Sequence, residues 1–133
     1  MVVVVSLALG ALVTIYHNWW IHRLASREYA HSRICYAQME TALHLQTLPN
    51  KFDVLGLERS AISYQDVAER HGAMLGISKA AIDTDLAQQK VIFWDRYSGM
   101  TAKRDGRQLT DFFADVTRCL NDDWAPHGEI FNP

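Results

Sequence analysis

Residues 1–21 read MVVVVSLALGALVTIYHNWWI, and this stretch determines how the rest of the chain is placed. It contains no Asp, Glu, Lys or Arg, and as a helix it would extend about 30 Å, which is the hydrocarbon thickness of a bilayer. A cleaved signal peptide would need a basic region before the apolar run and a small-x-small site after it, and neither is present in convincing form. A segment that is apolar on every face is also more typical of a lipid-facing helix than of a core helix. We therefore predict a transmembrane anchor over residues 1–22.

The C-terminal end of this stretch has the composition of a membrane interface. Tyr16, Trp19 and Trp20 carry amphipathic rings that favour the headgroup region, and Arg23 begins a basic flank with two further arginines in the next ten residues. Because basic residues lie on this side only, the positive-inside rule predicts that Met1 is outside and that the domain after Arg23 is cytoplasmic. We expect a single-pass protein of the inner membrane, with Tyr16, Trp19, Trp20 and Arg23 at the lipid interface.

The composition of the rest of the 133-residue chain limits the classes of partner. The formal net charge is -2 and the pI is about 6.3, so bulk charge does not point to a nucleic acid or another polyanion. The two cysteines, Cys35 and Cys119, are too few and too far apart for a disulfide framework or a Cys-x-x-Cys metal site. We expect reduced thiols in a cytosolic compartment.

Helical periodicity begins directly after the anchor. Residues 23–48 contain neither Gly nor Pro, and an apolar stripe recurs there at helical spacing. The stripe consists of Tyr29, Tyr36, Met39 and Leu43, with Ile34, Leu45 and Leu48 beside it. We predict that the anchor continues into this helix and that Pro49 ends it, because proline cannot continue the hydrogen-bond ladder.

Three further helices are predicted. The second runs from Phe52 to His71, followed by a turn at Gly72 and Gly76. Its apolar arc consists of Val54, Leu55, Ala61, Ile62 and Ala68. Ser78 is predicted to cap the third helix, which frays near Ser98 and Gly99 and whose stripe consists of Ile82, Leu86, Phe93 and Tyr97. The fourth helix has the clearest amphipathic pattern, formed by Leu109, Phe112, Phe113, Val116 and Leu120.

These patterns predict an all-α fold, an N-terminal transmembrane helix followed by a small cytoplasmic helical bundle. The bundle is predicted to cover residues 23–124, and residues 125–133 to form an irregular tail. We expect the apolar face of the fourth helix to pack on the stripe of the third, with Phe112 pointing inward more fully than Phe113. Trp94 and the Phe112–Phe113 pair are interpreted as core packing and not as a platform for a ligand.

Four short motifs follow the apolar segment in a recognisable order: VLGLERSAI at 54–62, IDTDL at 82–86, VIFW at 91–94 and LTDFF at 109–113. In this order the chain resembles the bacterial membrane-anchored proteins designated domain of unknown function 4760. The resemblance covers most of the chain at the level of pattern. It implies the same architecture, and it transfers no activity, cofactor or catalytic residue.

Several histidines could in principle bind a metal or a haem. His31 and Cys35 are four residues apart on a predicted helix, a spacing that suits two ligands of one metal. A site needs a further ligand, and the remaining candidates form no second spaced pair. These candidates are His44, His71, His127 and Cys119. His17 and His22 flank the tryptophan pair, but a single span offers no second axial haem ligand. We expect neither a metal nor a cofactor.

The carboxylates do not form a catalytic pattern either. None is accompanied by a nucleophile, a glycine-rich phosphate loop or a paired base. The carboxylates considered are Asp83, Asp85, Asp95, Asp122 and Asp123. We therefore predict no catalytic residue and no enzyme.

Residues 66–72, DVAERHG, and 76–82, GISKAAI, resemble the two halves of a helix-turn-helix. The residues from Ala73 to Gly76 exceed the tight turn of that motif, and Asp83 and Asp85 would face a phosphate-rich partner. Our leading hypothesis is a membrane-tethered, non-enzymatic interaction or scaffold module that binds a protein partner or itself. The alternative hypothesis is a membrane-tethered DNA-binding regulator that uses residues 66–82.

Overall fold

The computed structural model describes residues 2–45, 52–101 and 103–123. They form four helices: α1 at Val2–His44, α2 at Val54–Met74, α3 at Lys79–Tyr97 and α4 at Gly106–Asp123. These described residues contain no strand, so the all-α prediction is confirmed. Leu48, Pro49 and the predicted irregular tail lie outside the described residues.

α1 is one continuous helix of 43 residues, which confirms that the apolar segment and the following stripe share a helix. At 1.5 Å per residue it is about 64 Å long. The side chains of residues 4–20 are exposed, and Ala25 is the first fully buried residue. By length and composition, the N-terminal part of α1 could span a membrane. The C-terminal part is the central helix of a bundle.

The other three helices alternate in direction along this C-terminal part. α3 runs parallel to α1, since Asp85 hydrogen-bonds to Tyr29 and Lys90 reaches Glu40, farther along both helices. α2 runs antiparallel, and Gly72 at its end packs on Tyr29. α4 is also antiparallel to α1. The bundle therefore has an end near the apolar segment, around Tyr29, and an opposite end around His44.

The connection from α2 to α3 is a four-residue turn, residues 75–78. Gly76 has a φ of 77°, and the amide of Ile77 donates to the carbonyl of Gly72 at 2.9 Å. This bond pattern is the Schellman motif that ends many helices. Ser78 accepts a hydrogen bond from the amide of Ala81 at 3.2 Å, so its predicted role as N-cap is confirmed. The prediction that Gly72 belongs to the turn is wrong, because Gly72 lies inside α2.

The predicted apolar arc of α2 is also largely wrong. Leu55 and Ile62 are 63% and 62% exposed, and Val54 is exposed as well. The buried face includes polar residues, and its members are Leu57, Ser60, Ala61, Tyr64, Val67, Ala68, His71 and Gly72. Tyr64 can be buried there because its hydroxyl donates to the carbonyl of Cys119. Which face of α2 is buried thus depends on hydrogen-bond partners on other helices as well as on hydrophobicity.

The core has two clusters along the bundle axis. The cluster near the apolar segment contains Tyr29, Ala68, Ile82 and Leu86. The second cluster joins all four helices and contains Met39, Leu45, Leu57, Tyr64, Phe93, Phe112 and Val116, among others. Phe112 is 1% exposed and Phe113 is half-buried, in the expected order. The prediction that α4 packs along the whole stripe of α3 is wrong, because Ile82 and Leu86 belong to the cluster without α4.

The expectation of reduced thiols is wrong as well. Cys35 on α1 and Cys119 on α4 form a disulfide, with their Cα atoms 5.6 Å apart. The chain separation of 84 residues concealed this pairing, since sequence spacing alone carries no information on contacts between distant helices.

Candidate functional site

An apolar groove lies between α1 and α3 at the bundle end away from the apolar segment. It encloses about 370 Å³. The groove is lined by Glu40, Thr41 and His44 of α1 and by Lys90, Val91, Trp94 and Asp95 of α3. On each helix the lining residues are three or four positions apart, and such residues share a helix face. The volume is at the lower end of the range for ligand pockets and is large enough for one or two apolar side chains.

Charged groups fix one edge of this groove. The ammonium of Lys90 lies 2.9 Å from a carboxylate oxygen of Glu40 and 5.9 Å from the ring centroid of Tyr36. The hydrogen bond to Glu40 is the main cause that raises the pKa of Lys90. On the other edge, the ring of His44 meets the ring of Trp94 edge to face, with centroids 6.4 Å apart. The groove therefore has an apolar floor between an ion pair and an aromatic pair.

The apolar surface continues from the groove over the outer side of α3. Val91 is 59% exposed, and Ile92 and Trp94 are exposed beside it. A second, shallower depression of about 490 Å³ adjoins the groove at Val91. The interpretation of Trp94 as a core residue is wrong, because α3 buries Phe93 and the neighbouring position consequently points outward. We call the groove together with Val91, Ile92 and Trp94 the α3 surface.

The helix-turn-helix segment has a shorter turn than the sequence indicated. Ala73 and Met74 continue α2, so they do not lengthen the turn. DNA binding needs cations that can pair with phosphates. The ammonium of Lys79 at the start of α3 is instead paired with carboxylates, at 2.9 Å from Glu69 and 3.2 Å from Asp83. Its hydrogen bond lowers the pKa of Glu69. The other basic residues of α3 are engaged too, Lys90 with Glu40 and Arg96 over aromatic rings.

The histidine and cysteine pair proposed from spacing does meet on α1. Nε2 of His31 lies 3.6 Å from Sγ of Cys35 and 3.5 Å from a carboxylate oxygen of Asp122. The sulfur is already bonded to Cys119, and across the described residues no three His, Cys, Asp or Glu side chains form a metal site. His71 is buried inside α2, where its Nδ1 is 2.8 Å from the carbonyl of Val67. His127 lies outside the described residues.

The carboxylates considered from the sequence are dispersed over the surface. Asp85 accepts hydrogen bonds from Tyr29 at 2.7 Å and from Arg33 at 3.1 Å. Burial and the bond to Asp85 raise the pKa of Tyr29 to about 12. Asp83 pairs with Lys79, Asp122 lies beside His31, and Asp95 lines the groove.

The residues expected at the lipid interface lie where the exposed part of α1 meets the bundle. The rings of Tyr16 and Trp19 are 6.1 Å apart, and the guanidinium of Arg23 lies 5.3 Å above the ring of Trp19. Trp20 is 39% exposed. These four residues share one face of α1 just before the first buried residue of the bundle.

No protein-family model matches the chain, and no curated protein or solved structure is significantly similar to it. Its function therefore has to be inferred from its own residues.

Proposed function

We propose that this protein is a non-enzymatic interaction module, anchored in a bacterial inner membrane by the first part of α1, that binds another polypeptide through the α3 surface. The observation that carries the proposal is the exposure of Val91, Ile92 and Trp94 directly beside an apolar groove. Contiguous exposed apolar surface of this kind marks interaction sites on small proteins. The motif order that resembles domain of unknown function 4760 agrees with this architecture and stays a prediction.

The position of the groove supports a polypeptide as the occupant. Glu40 follows Trp20 by twenty residues on one unbroken helix, so the groove stands about 30 Å from the interfacial tryptophans along α1. At that height lipid does not reach it. An apolar side chain on a partner helix or loop fits the floor of the groove, and the Glu40–Lys90 pair offers both charges for polar contacts at its edge.

Position-specific crosslinking in cells tests this proposal. A photoreactive phenylalanine analogue is placed at Val91, and in a control protein at Ile62, which is equally exposed on the outer side of α2. Irradiation should give a covalent adduct of defined mass from position 91 and none from position 62. A second chain in the adduct, identified by mass spectrometry as a different protein or as this protein itself, distinguishes partner binding from self-association.

The substitution Val91→Asp should abolish the adduct formed from a crosslinker at Trp94, whereas Ile62→Asp should leave it unchanged. Adducts of equal yield from both faces, or from neither, would overturn the proposed surface. Membrane anchoring is tested separately by alkaline carbonate extraction, after which the intact chain should remain in the membrane pellet.

A further inference from the structure

The disulfide between Cys35 and Cys119 has no part in the groove or in the anchor. It joins the C-terminal part of α1 to the C-terminal part of α4. Cys35 is 1% exposed and Cys119 is 4% exposed, so the bond lies inside the core and not on its surface. Both sulfurs belong to the cluster that joins the four helices.

Residues of α1 and α2 contact Cys119 beside the disulfide. The side-chain amide of Gln38, itself buried, places Oε1 3.0 Å from Sγ of Cys119. The hydroxyl of Tyr64 donates to the carbonyl of Cys119, which fixes the backbone of α4 at this point. These contacts hold Cys119 of α4 beside α1 and α2 independently of the disulfide.

We infer that the bundle folds on the outer, oxidising side of the inner membrane, so that the polypeptide bound at the α3 surface is an extracytoplasmic one. Buried disulfides form and persist in oxidising compartments and are rare in the cytosol. This inference rests on the proposed anchor, and it reverses the cytoplasmic location that the basic flank predicts. Forming the bond removes two protons and two electrons from the two thiols, and a disulfide of the compartment's thiol oxidase accepts them and becomes a dithiol.

Two of the three arginines that predict the opposite orientation contact other side chains in the structure. Arg33 pairs with Asp85 at 3.1 Å and lies 4.8 Å above the ring of Tyr29, and Arg23 lies over Trp19. The charge rule is a statistical preference that compares the two flanks of a span. A disulfide, in contrast, forms only where an oxidant accepts the electrons of the two thiols. We therefore give the disulfide precedence over the flank.

Thiol trapping of the full-length chain in a bacterial host tests the inference. Cells are quenched in acid, free thiols are blocked with N-ethylmaleimide, and the sample is then reduced and treated with a maleimide-linked polyethylene glycol. Since the sequence has two cysteines, a fully oxidised chain gains two tags, and only when the reduction step is included. The variants Cys35→Ser and Cys119→Ser, each with a single thiol, calibrate the shift of one tag when the N-ethylmaleimide step is omitted.

We expect two tags in the normal host and none in a host that lacks its periplasmic thiol oxidase. A C-terminal alkaline phosphatase fusion should be active, and a fusion to a green fluorescent protein that folds only in the cytosol should be dark. Thiols that are blocked before reduction in the normal host, together with a fluorescent fusion, would overturn the inference.

Failure of the anchor gives a different result. If residues 1–22 are removed during export, intact mass shows a shortened chain in the soluble periplasmic fraction, and its cysteines are still oxidised. That outcome overturns the membrane tether and supports the oxidising location. A carbonate-resistant chain with two reduced thiols supports the tether and overturns the location.

Discussion

Gly72 of α2 and Ile82 of α3 pack so closely that a Cβ atom on Gly72 would lie 2.6 Å from Cδ1 and 2.9 Å from Cγ1 of Ile82. The same Cβ would lie 3.1 Å from the ring of Tyr29 on α1. The helices α1, α2 and α3 thus come into contact at Gly72, where α2 carries no side chain. This close approach explains why a glycine occurs inside α2 despite its cost of about 1 kcal/mol in a helix interior.

The substitution Gly72→Ala should therefore destabilise the bundle, although alanine is the better helix former. We expect a loss of about 1–3 kcal/mol in the free energy of unfolding, typical of overpacking, measured by denaturation of the detergent-solubilised chain. Gly106→Ala is the matched control, because a Cβ there meets nothing within 4 Å and the stability should not fall. Adding Ile82→Ala to Gly72→Ala should cost less than the sum of the two single changes, and strict additivity would contradict the contact.

Reduction of the Cys35–Cys119 disulfide should lower the stability of the bundle. The bond closes a chain segment of 84 residues, and loss of such a cross-link typically costs about 2–5 kcal/mol. The detergent-solubilised chain should melt at a lower temperature after incubation with a dithiol reductant. The double variant Cys35→Ala with Cys119→Ala should melt low in both conditions. Equal melting of the native chain with and without reductant would show that α4 is held by packing alone.

The hydroxyl of Tyr29 should make a pH-dependent contribution to stability. Its pKa is about 12 in the folded chain, against an ordinary value of 10.0. Because the folded pKa is the higher one, this contribution is complete below pH 10 and is lost as the pH rises from 10 to about 12. The native chain should therefore lose stability over this interval faster than Tyr29→Phe, which has no proton to lose there. A constant stability difference between the two chains from about pH 9 to about pH 12 would contradict the shift.

Phe112 and Phe113 should differ in their contribution to stability. Phe112 is 1% exposed and its ring lies 4.3 Å from that of Tyr97, whereas Phe113 is half-buried. Phe112→Ala should cost about 3–5 kcal/mol, and Phe113→Ala should cost clearly less. Thermal melts of both variants measure the difference. An unchanged melt for Phe112→Ala would show that α4 does not carry core packing.

The sequence determines the helices better than their faces. Ser78 and the spacing from Ile82 to Tyr97 locate α3, because caps and periodicity act within one helix. The same approach places α2 but selects Leu55 and Ile62 for the core, and both are exposed. The buried face of α2 depends on partners from α1 and α4, and periodicity within a single helix carries no information on them.

Only part of the candidate site can be predicted from the sequence. Trp94 stood out as an aromatic residue, but its exposure depends on Phe93 facing the core, a choice that is settled by the position of α1. The spacing of four between His31 and Cys35 places both on one face of α1, and their side chains do meet there. The pairing of Cys35 with Cys119 required the arrangement of α4, which follows from tertiary contacts and not from any local pattern.

The unbroken α1 has a mechanical consequence. Because one helix forms both the apolar segment and the centre of the bundle, the two parts are connected without a hinge. If the segment spans a membrane as proposed, any tilt of it in the bilayer turns the whole bundle with it as a rigid lever. A tilt of about 20°, the average for membrane helices, would carry a groove about 30 Å along that lever sideways by about 10 Å. In the proposed anchored state, a change in bilayer thickness that changes the tilt of the segment would therefore change how far the α3 surface is displaced sideways.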